Sequence, residues 1–346
     1  MEKLSKMQLN ADMIEQIKEV ITRGRENVVY TVNNELLAAY WNVGRIIIEN
    51  EQNGNIKAEY GKQMILLLSK ELTKLLGKGF SRSNLFLMRS LYLKYPKIQT
   101  LSGKLSWSHY IELLSIDEDS KRSFYEKEAE NSKWSVRMLE EQIGKSLYER
   151  LLLSDGKANK KKVMELATKG QIISKPEDML KEPYIFEFLG VKENKPALEK
   201  ELEKRLINHI EEFLLELGKG FMYVGSQQRI PVEMSNYHVD MVFYNKILKA
   251  YVLIDLKMTE MKPEYAGQMN MYLNYYETEV NEENDNKPIG IILCAGKKKV
   301  SIEYALGGLA NNIYASSYTY YIPNQEQLAR EVELALQSEE KDSEIN

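Results

Sequence analysis

One cysteine in 346 residues, Cys294, excludes an internal disulfide and any cysteine-based zinc cluster, and it fits a reducing cytoplasm. Its neighbours Ile291, Ile292 and Leu293 mark it as a core residue rather than a reactive thiol. Long apolar runs are missing too: stretches such as Met64 to Leu68 fall far short of the ~18 residues a spanning helix needs, so no membrane role is expected. The N-terminus shows no apolar core or cleavage site, and no signal peptide is expected. An excess of positive charge is lacking as well. Lysine and arginine number 47 against 51 acids, a net charge of −4, so any attraction for nucleic acid must come from local patches. No Gly-x-Ser-x-Gly elbow supports a serine hydrolase. Gly-Lys-Gly-Phe occurs at 77–80 and 218–221, but no Gly-Lys-Ser/Thr follows, so helix stops explain both copies better than a phosphate loop.

What is present divides the chain in two, as its length suggests. Residues 15–153 carry apolar residues at three- and four-residue spacing and read as an all-helical bundle of seven or so short helices. Trp41, Trp107 and Trp134 are its candidate core anchors. Gly79 to Arg89 could open a winged-helix or helix-turn-helix-like reader, with Arg82, Ser83, Asn84 and Arg89 toward DNA; packing hairpins look the same in sequence. Residues 154–195 read as a connector. They hold Gly156, Gly170, Pro176 and Pro183, and a run of lysines (157, 160, 161, 162, 169, 175) against the single acid Glu165, either a solvated face or a phosphate contact. The apolar segment Tyr184 to Leu189 within it is suited to packing on one of the domains.

From 196 to 337 the pattern becomes α/β. An amphipathic helix with Leu202, Leu206, Ile210, Phe213 and Leu217 ends at Gly218. Strands are expected at 221–224, 228–232, 237–244 and 250–257, a helix from Pro263 to about Glu277, and a strand at 289–293. A helical segment at 302–309, a strand at 318–322 and a helix at 325–336 complete the domain, and 338–346 reads as a charged, disordered tail.

Chemistry concentrates on two of these strands. With alternating sides, Val239, Met241 and Phe243 share one face and Asp240 and Val242 the other; Asp255 and Lys257 project together from the following strand. A turn centred between Ile247 and Leu248 puts Asp240 opposite Asp255, with Cβ atoms ~5 Å apart. Like charges that close destabilise an ordinary sheet, whereas a divalent cation removes the conflict. Lys257 can then orient a water or stabilise developing charge. The bland alternative is a turn-capping Asp240 and an Asp255–Lys257 ion pair at a strand end. His238, on the strand face of Asp240, is a supporting group or a surface residue; His109 and His209 read as structural and solvated.

The surrounding motifs resemble the YhcG-like family of the PD-(D/E)XK nuclease superfamily. They are Phe213-Leu-Leu-Glu-Leu-Gly-Lys-Gly-Phe221, Val224-Gly-Ser-Gln227, Asp240-Met-Val-Phe-Tyr244, Ile254-Asp-Leu-Lys257, Lys262-Pro-Glu-Tyr-Ala-Gly-Gln-Met269 and Ile289-Gly-Ile-Ile-Leu-Cys294. In the first half, Val32-Asn-Asn-Glu-Leu36, Tyr40-Trp41, Gly79-Phe-Ser81, Asn84-Leu85, Leu105-Ser-Trp-Ser-His-Tyr110 and Trp134-Ser-Val-Arg137 also match. The resemblance implies a helical N-terminal domain joined to a restriction-endonuclease-like αβββαβ core. It implies Asp240, Asp255 and the carbonyl of Leu256 as ligands of Mg²⁺ or Mn²⁺, Lys257 positioning the attacking water, and Gln268 supporting the site. A first-helix acid is also implied, with Glu203 the candidate and Glu212 or Glu216 the substitutes. Asp255 stands where the family often has glutamate, a shorter reach to a metal.

Two function classes follow. One is a cytoplasmic metal-dependent endonuclease acting on DNA in preference to RNA, with a homodimer compatible with cutting two strands. The other keeps the fold as a silent nucleic-acid-binding or protein-interaction module, and the intact Asp/Asp/Lys set argues against it.

Overall fold

A computed structural model describes residues 11–53, 58–154, 159–190, 198–232, 235–295 and 312–345. The chain divides into two compact units, Met1–Glu140 and Glu141–Asn346. The first is helical: α1 (Ala11–Asn53), α2 (Ala58–Leu76), α3 (Arg82–Lys94), α4 (Trp107–Leu114), α5 (Asp119–Asn131) and the start of α6 (Val136–Gly144). In place of short helices throughout, α1 runs for 43 residues, because no proline interrupts it. Ser81 caps α3 by accepting from the Asn84 amide, and Ser106 and His109 form a reciprocal capping box at the start of α4. That box, with the second ring nitrogen of His109 3.0 Å from the Trp134 carbonyl, makes this histidine structural. Ile47, Ile65, Leu85 and Met88 form a core cluster, and α1 meets α3 so closely at Gly44 that an added Cβ would lie 2.1 Å from the Met88 carbonyl oxygen.

The tryptophans are half-buried instead of central. An indole N–H needs an acceptor, and Trp41 donates to the Tyr95 carbonyl at 2.7 Å while Trp107 donates to Asn84 Oδ1 at 3.0 Å. Of the four residues expected to face DNA, Asn84 is held by Trp107, and Arg89 pairs with Glu51 at 2.9 Å. Arg82 and Ser83 remain exposed.

The second unit adds α7 (Leu147–Leu153) and α8 (Lys160–Lys169), then α9 (Glu199–Asn208), α10 (Ile210–Leu217), α11 (Pro263–Tyr275) and α12 (Gln325–Ile345). Its strands are β1 (Tyr184–Ile185), β2 (Phe221–Val232), β3 (Ser235–Asn245), β4 (Ala250–Lys257), β5 (Ile289–Cys294) and β6 (Ile313–Thr319). They form one sheet in the order β1-β6-β5-β4-β3-β2, antiparallel across β2–β3–β4 and parallel from β4 to β1. Leu202, Leu206, Phe213 and Leu217 cover one face through Met241, Phe243, Ile254 and Leu256. Ala266, Met269, Tyr272 and Leu273 of α11 cover the other through Val242, Leu253 and Ile292. Gly290 permits that second contact, since a Cβ there would lie 2.5 Å from the Met269 side chain. β4 and β5 are therefore buried on both sides, which explains their unbroken apolar runs. Val239 packs with Val242 and not with Met241, a departure from strict alternation.

The expected connector is largely part of this unit. Described residues of 154–190 supply α8 and β1, and Tyr184, Ile185 and Phe186 are fully buried. Arg150 explains why. Fully buried, it lies 2.5 Å from buried Glu216, donates to the Pro183 carbonyl, and is joined there by the Ile185 amide, which donates to the same Glu216 oxygen. Burial opposes the Glu216 charge, yet Arg150 and Lys181 hold its carboxyl below the usual range. Two ends shift as well. β6 begins five residues earlier than expected because Ser316 and Ser317, which break the apolar pattern, are held by Glu182. α12 runs through the expected disordered tail to Ile345, a stretch without glycine or proline. The helical segment expected at 302–309 lies outside the described residues. Among those described, no helix is long and apolar enough to cross a membrane.

The Arg150–Glu216 pair yields a stability prediction. Arg150→Ala leaves a carboxylate buried without its partner and should cost ~3–5 kcal/mol in urea unfolding of the intact chain. A loss below ~1 kcal/mol would show that the pair is not what anchors 141–190 to the sheet.

Candidate active site

The expected register is the observed one. Met241 pairs with Ile254 and Asn245 with Ala250, which brings Asp240 level with Asp255 one step beyond the last paired residues. There the ladder ends, and the Asp240 side chain replaces it: Oδ2 accepts the Leu256 amide at 2.8 Å. Asp255 is 2% exposed. Its Oδ2 is buried without an aligned hydrogen bond, although Lys257 Nζ lies 2.7 Å away as its charge partner. Lys257 is itself buried, 3.3 Å from Glu199 Oε1 and 5.2 Å from the centre of the Tyr265 ring.

α9 supplies the third carboxylate. Its phase turns Glu203 inward, and Gln227 Nε2 bridges Glu203 Oε2 (2.8 Å) to Asp240 Oδ1 (3.3 Å). The two substitutes lie elsewhere: Glu216 belongs to the Arg150 pair, and Glu212 is exposed beside His209. Gln268 stands one hydrogen bond back from β3, donating to Tyr272, whose hydroxyl donates to the His238 carbonyl at 3.1 Å. The His238 side chain is exposed. Sequence reasoning missed two residues, Glu199 and Gln227. Glu199 stands one helical turn before Glu203, and that i, i+4 spacing was the available signal. Gln227 ends the matched motif Val224-Gly-Ser-Gln227, the available signal, and its left-handed backbone conformation (φ 48°) is a local feature that the motif does not reveal.

The electrostatics follow from crowding. Burial and then the Asp255 charge push Asp240 up to about 7. Burial raises Asp255 despite Lys257, and burial also raises Glu203. Burial works against the Lys257 ammonium, but the Asp255, Glu199 and Asp240 carboxylates outweigh it and keep the lysine protonated. The donor set suits a hard divalent cation: two carboxylates at one level, crowded enough that burial and mutual charge disfavour their ionisation. Among the described residues no three His, Cys, Asp or Glu side chains converge to cage an ion unaided. Mg²⁺ does not require that, since one or two carboxylates with waters and substrate phosphate suffice.

A helix, three antiparallel-linked strands, a crossover helix and a parallel strand, with Asp, Asp-x-Lys at the end of the hairpin, define a PD-(D/E)XK nuclease domain. Residues 177–333 match the YhcG PDDEXK nuclease domain, and residues 16–150 match the DUF1016 N-terminal domain. The chain is 36% identical over 348 residues to "Putative nuclease YhcG" of Escherichia coli (strain K12), an alignment covering 91% of this chain and 92% of that protein. It belongs to the YhcG family of proteins with a PD-(D/E)XK nuclease domain. The crystal structure of a repair endonuclease from Pyrococcus abyssi is a remote likeness, with TM-score 0.26 and 16% identity over 36% of this chain and 49% of that one.

The raised Asp240 fixes a pH dependence. The folded chain keeps that proton to about 7, whereas an unfolded aspartate loses it near 3.8. The unfolded state therefore binds fewer protons in between, and stability falls as pH rises from about 4 to about 7 and stays lower above. In chelator, Asp240→Asn should gain stability over the parent at about pH 8 relative to about pH 5, read by urea unfolding. Identical pH profiles for the two proteins would contradict the crowded-carboxylate account.

Proposed function

We propose that this chain is a metal-dependent endonuclease that hydrolyses phosphodiester bonds in DNA, in preference to RNA, using Mg²⁺ or Mn²⁺. The observation that carries the proposal is the level pairing of Asp240 and Asp255 with Lys257 Nζ 2.7 Å from the latter. Asp240, Asp255 and the Leu256 carbonyl would hold the ion, with Glu203 joined to them through Gln227. When bound, such an ion offsets the clustered negative charge and polarises the scissile phosphate. Lys257 stays an ammonium here, so its part is to donate, orienting the attacking water or a phosphate oxygen and stabilising charge in the transition state. Tyr265 and Glu199 hold that ammonium in place, and Gln268 steadies β3 through Tyr272. The free thiol Cys294, buried and pushed up to about 12 chiefly by burial, is inert and suits a cytoplasmic setting. Cutting both strands of a duplex would use two sites, hence a homodimer.

Incubation of plasmid DNA, branched DNA and RNA with the full chain, with and without Mg²⁺, tests this. Cleavage should require the metal and favour DNA. Asp255→Ala and Lys257→Ala should each lower the rate at least ~100-fold without altering the fold, while Glu212→Gln should cut like the parent. If both active-site variants cut as well as the parent, the assignment is wrong. Salt-sensitive DNA binding with no cleavage under any metal would instead favour the silent module.

A further inference from the structure

In the first half of α1, Tyr30 lies against Gly103 and Glu26 pairs with Lys133 at 3.3 Å, whereas the opposite side of the helix meets no packing partner among the described residues. Residues 12–32 are all exposed, whereas Leu37, Ile47 and Ile48 further along the helix are buried. The turns before Glu26 therefore have little tertiary contact to support them. The exposed apolar residues of this half, Val29 and Tyr30 aside, are not scattered. At 100° per residue, Met13, Ile14, Ile17, Val20, Ile21, Val28 and Val32 fall on one stripe about 120° wide, with Ile17 on its midline and Gly24 inside it. They are between 48% and 68% exposed. Among the described residues nothing lies within 4 Å of the place a Gly24 side chain would occupy, so no close contact there explains a residue that weakens a helix.

We propose that this stripe pairs with the same stripe of a second copy of the chain, in antiparallel orientation. The stripe has a heptad seam: Ile14, Ile21 and Val28 at one core position, Ile17, Gly24 and Thr31 at the other. Antiparallel pairing about the point between Thr22 and Arg23 sets Ile14 against Thr31, Ile17 against Val28 and Ile21 against Gly24 of the second copy. Each isoleucine meets a smaller residue, and the missing Gly24 side chain makes room for Ile21. Parallel pairing would stack isoleucine on isoleucine and leave voids at Gly24 and Thr31. The Thr31 hydroxyl already donates to the Asn27 carbonyl at 2.8 Å, so its methyl can face the seam without orphaning a polar group. The exposed apolar stripe amounts to roughly 700 Å² per copy, and covering most of it on both copies reaches the lower part of the range for stable interfaces, about 1,200–2,000 Å² in total. Lys18 and Arg25 flank the seam on one side, where the pairing brings Lys18 of one copy near Arg25 of the other. Such like charges repel weakly and are screened by salt.

Sedimentation equilibrium of the full chain tests the pairing. The parent should be dimeric at tens of micromolar and its dissociation constant should tighten as salt is raised. Ile17→Glu with Ile21→Glu should weaken the dimer at least ~100-fold while leaving unchanged the thermal unfolding measured at concentrations where the parent is also monomeric, and the metal-dependent nuclease activity on single-stranded DNA. For orientation, a mixture of Ile21→Cys and Gly24→Cys chains should form a disulfide between the two, and neither should cross-link efficiently alone. A monomeric parent, a double variant as dimeric as the parent, or a monomer whose stripe instead binds anionic vesicles would overturn the proposal. Efficient cross-linking of either cysteine variant with itself would overturn the antiparallel register. None of these outcomes bears on whether the Asp240–Asp255 site cleaves nucleic acid.

Discussion

Two carboxylates brought level at the end of a β-hairpin govern the second unit. Asp240 and Asp255 repel each other, and the fold contains them with fixed partners: the Leu256 amide, the Lys257 ammonium and the Gln227 amide. Those partners come from different elements. β3 and β4 must pair in one register, α9 must present Glu199 and Glu203 on the same side, and β2 must kink enough to aim Gln227 inward. Burial of the sheet on both faces keeps this arrangement rigid, because a one-residue slip would exchange the buried sets.

The hairpin could be read from sequence because its information is local. Period-two alternation and a polar turn fix which residues oppose each other, and the observed pairing of Met241 with Ile254 agrees. The order of elements in the nuclease domain was readable for the same reason. Long-range partners were not. Nothing in the composition of 154–195 says that Arg150 lies buried against Glu216 and draws Pro183 and Ile185 to the sheet. Gln227 depends on a left-handed residue in an irregular strand, and β6 depends on Glu182 capturing two serines.

Glu203 and Glu216 show how environment separates like residues. Both are buried acids on the consecutive helices α9 and α10, and helix phase alone decides between them. Glu216 faces a guanidinium and the Ile185 amide, which stabilise its charge. Glu203 has an amide that also touches Asp240, and its charge is disfavoured. The charge of the first is supported by the fold, and that of the second is not.

The Lys257–Glu199 contact has its own consequence. Glu199 lies in the first turn of α9, its side chain half exposed, while Lys257 is mostly enclosed. The ammonium is thus neutralised from within, and the chain as a whole is acidic. Any anion that is to reach Lys257 must first displace a carboxylate already in contact with it, so weakly held anions in solution are poor competitors for the ammonium.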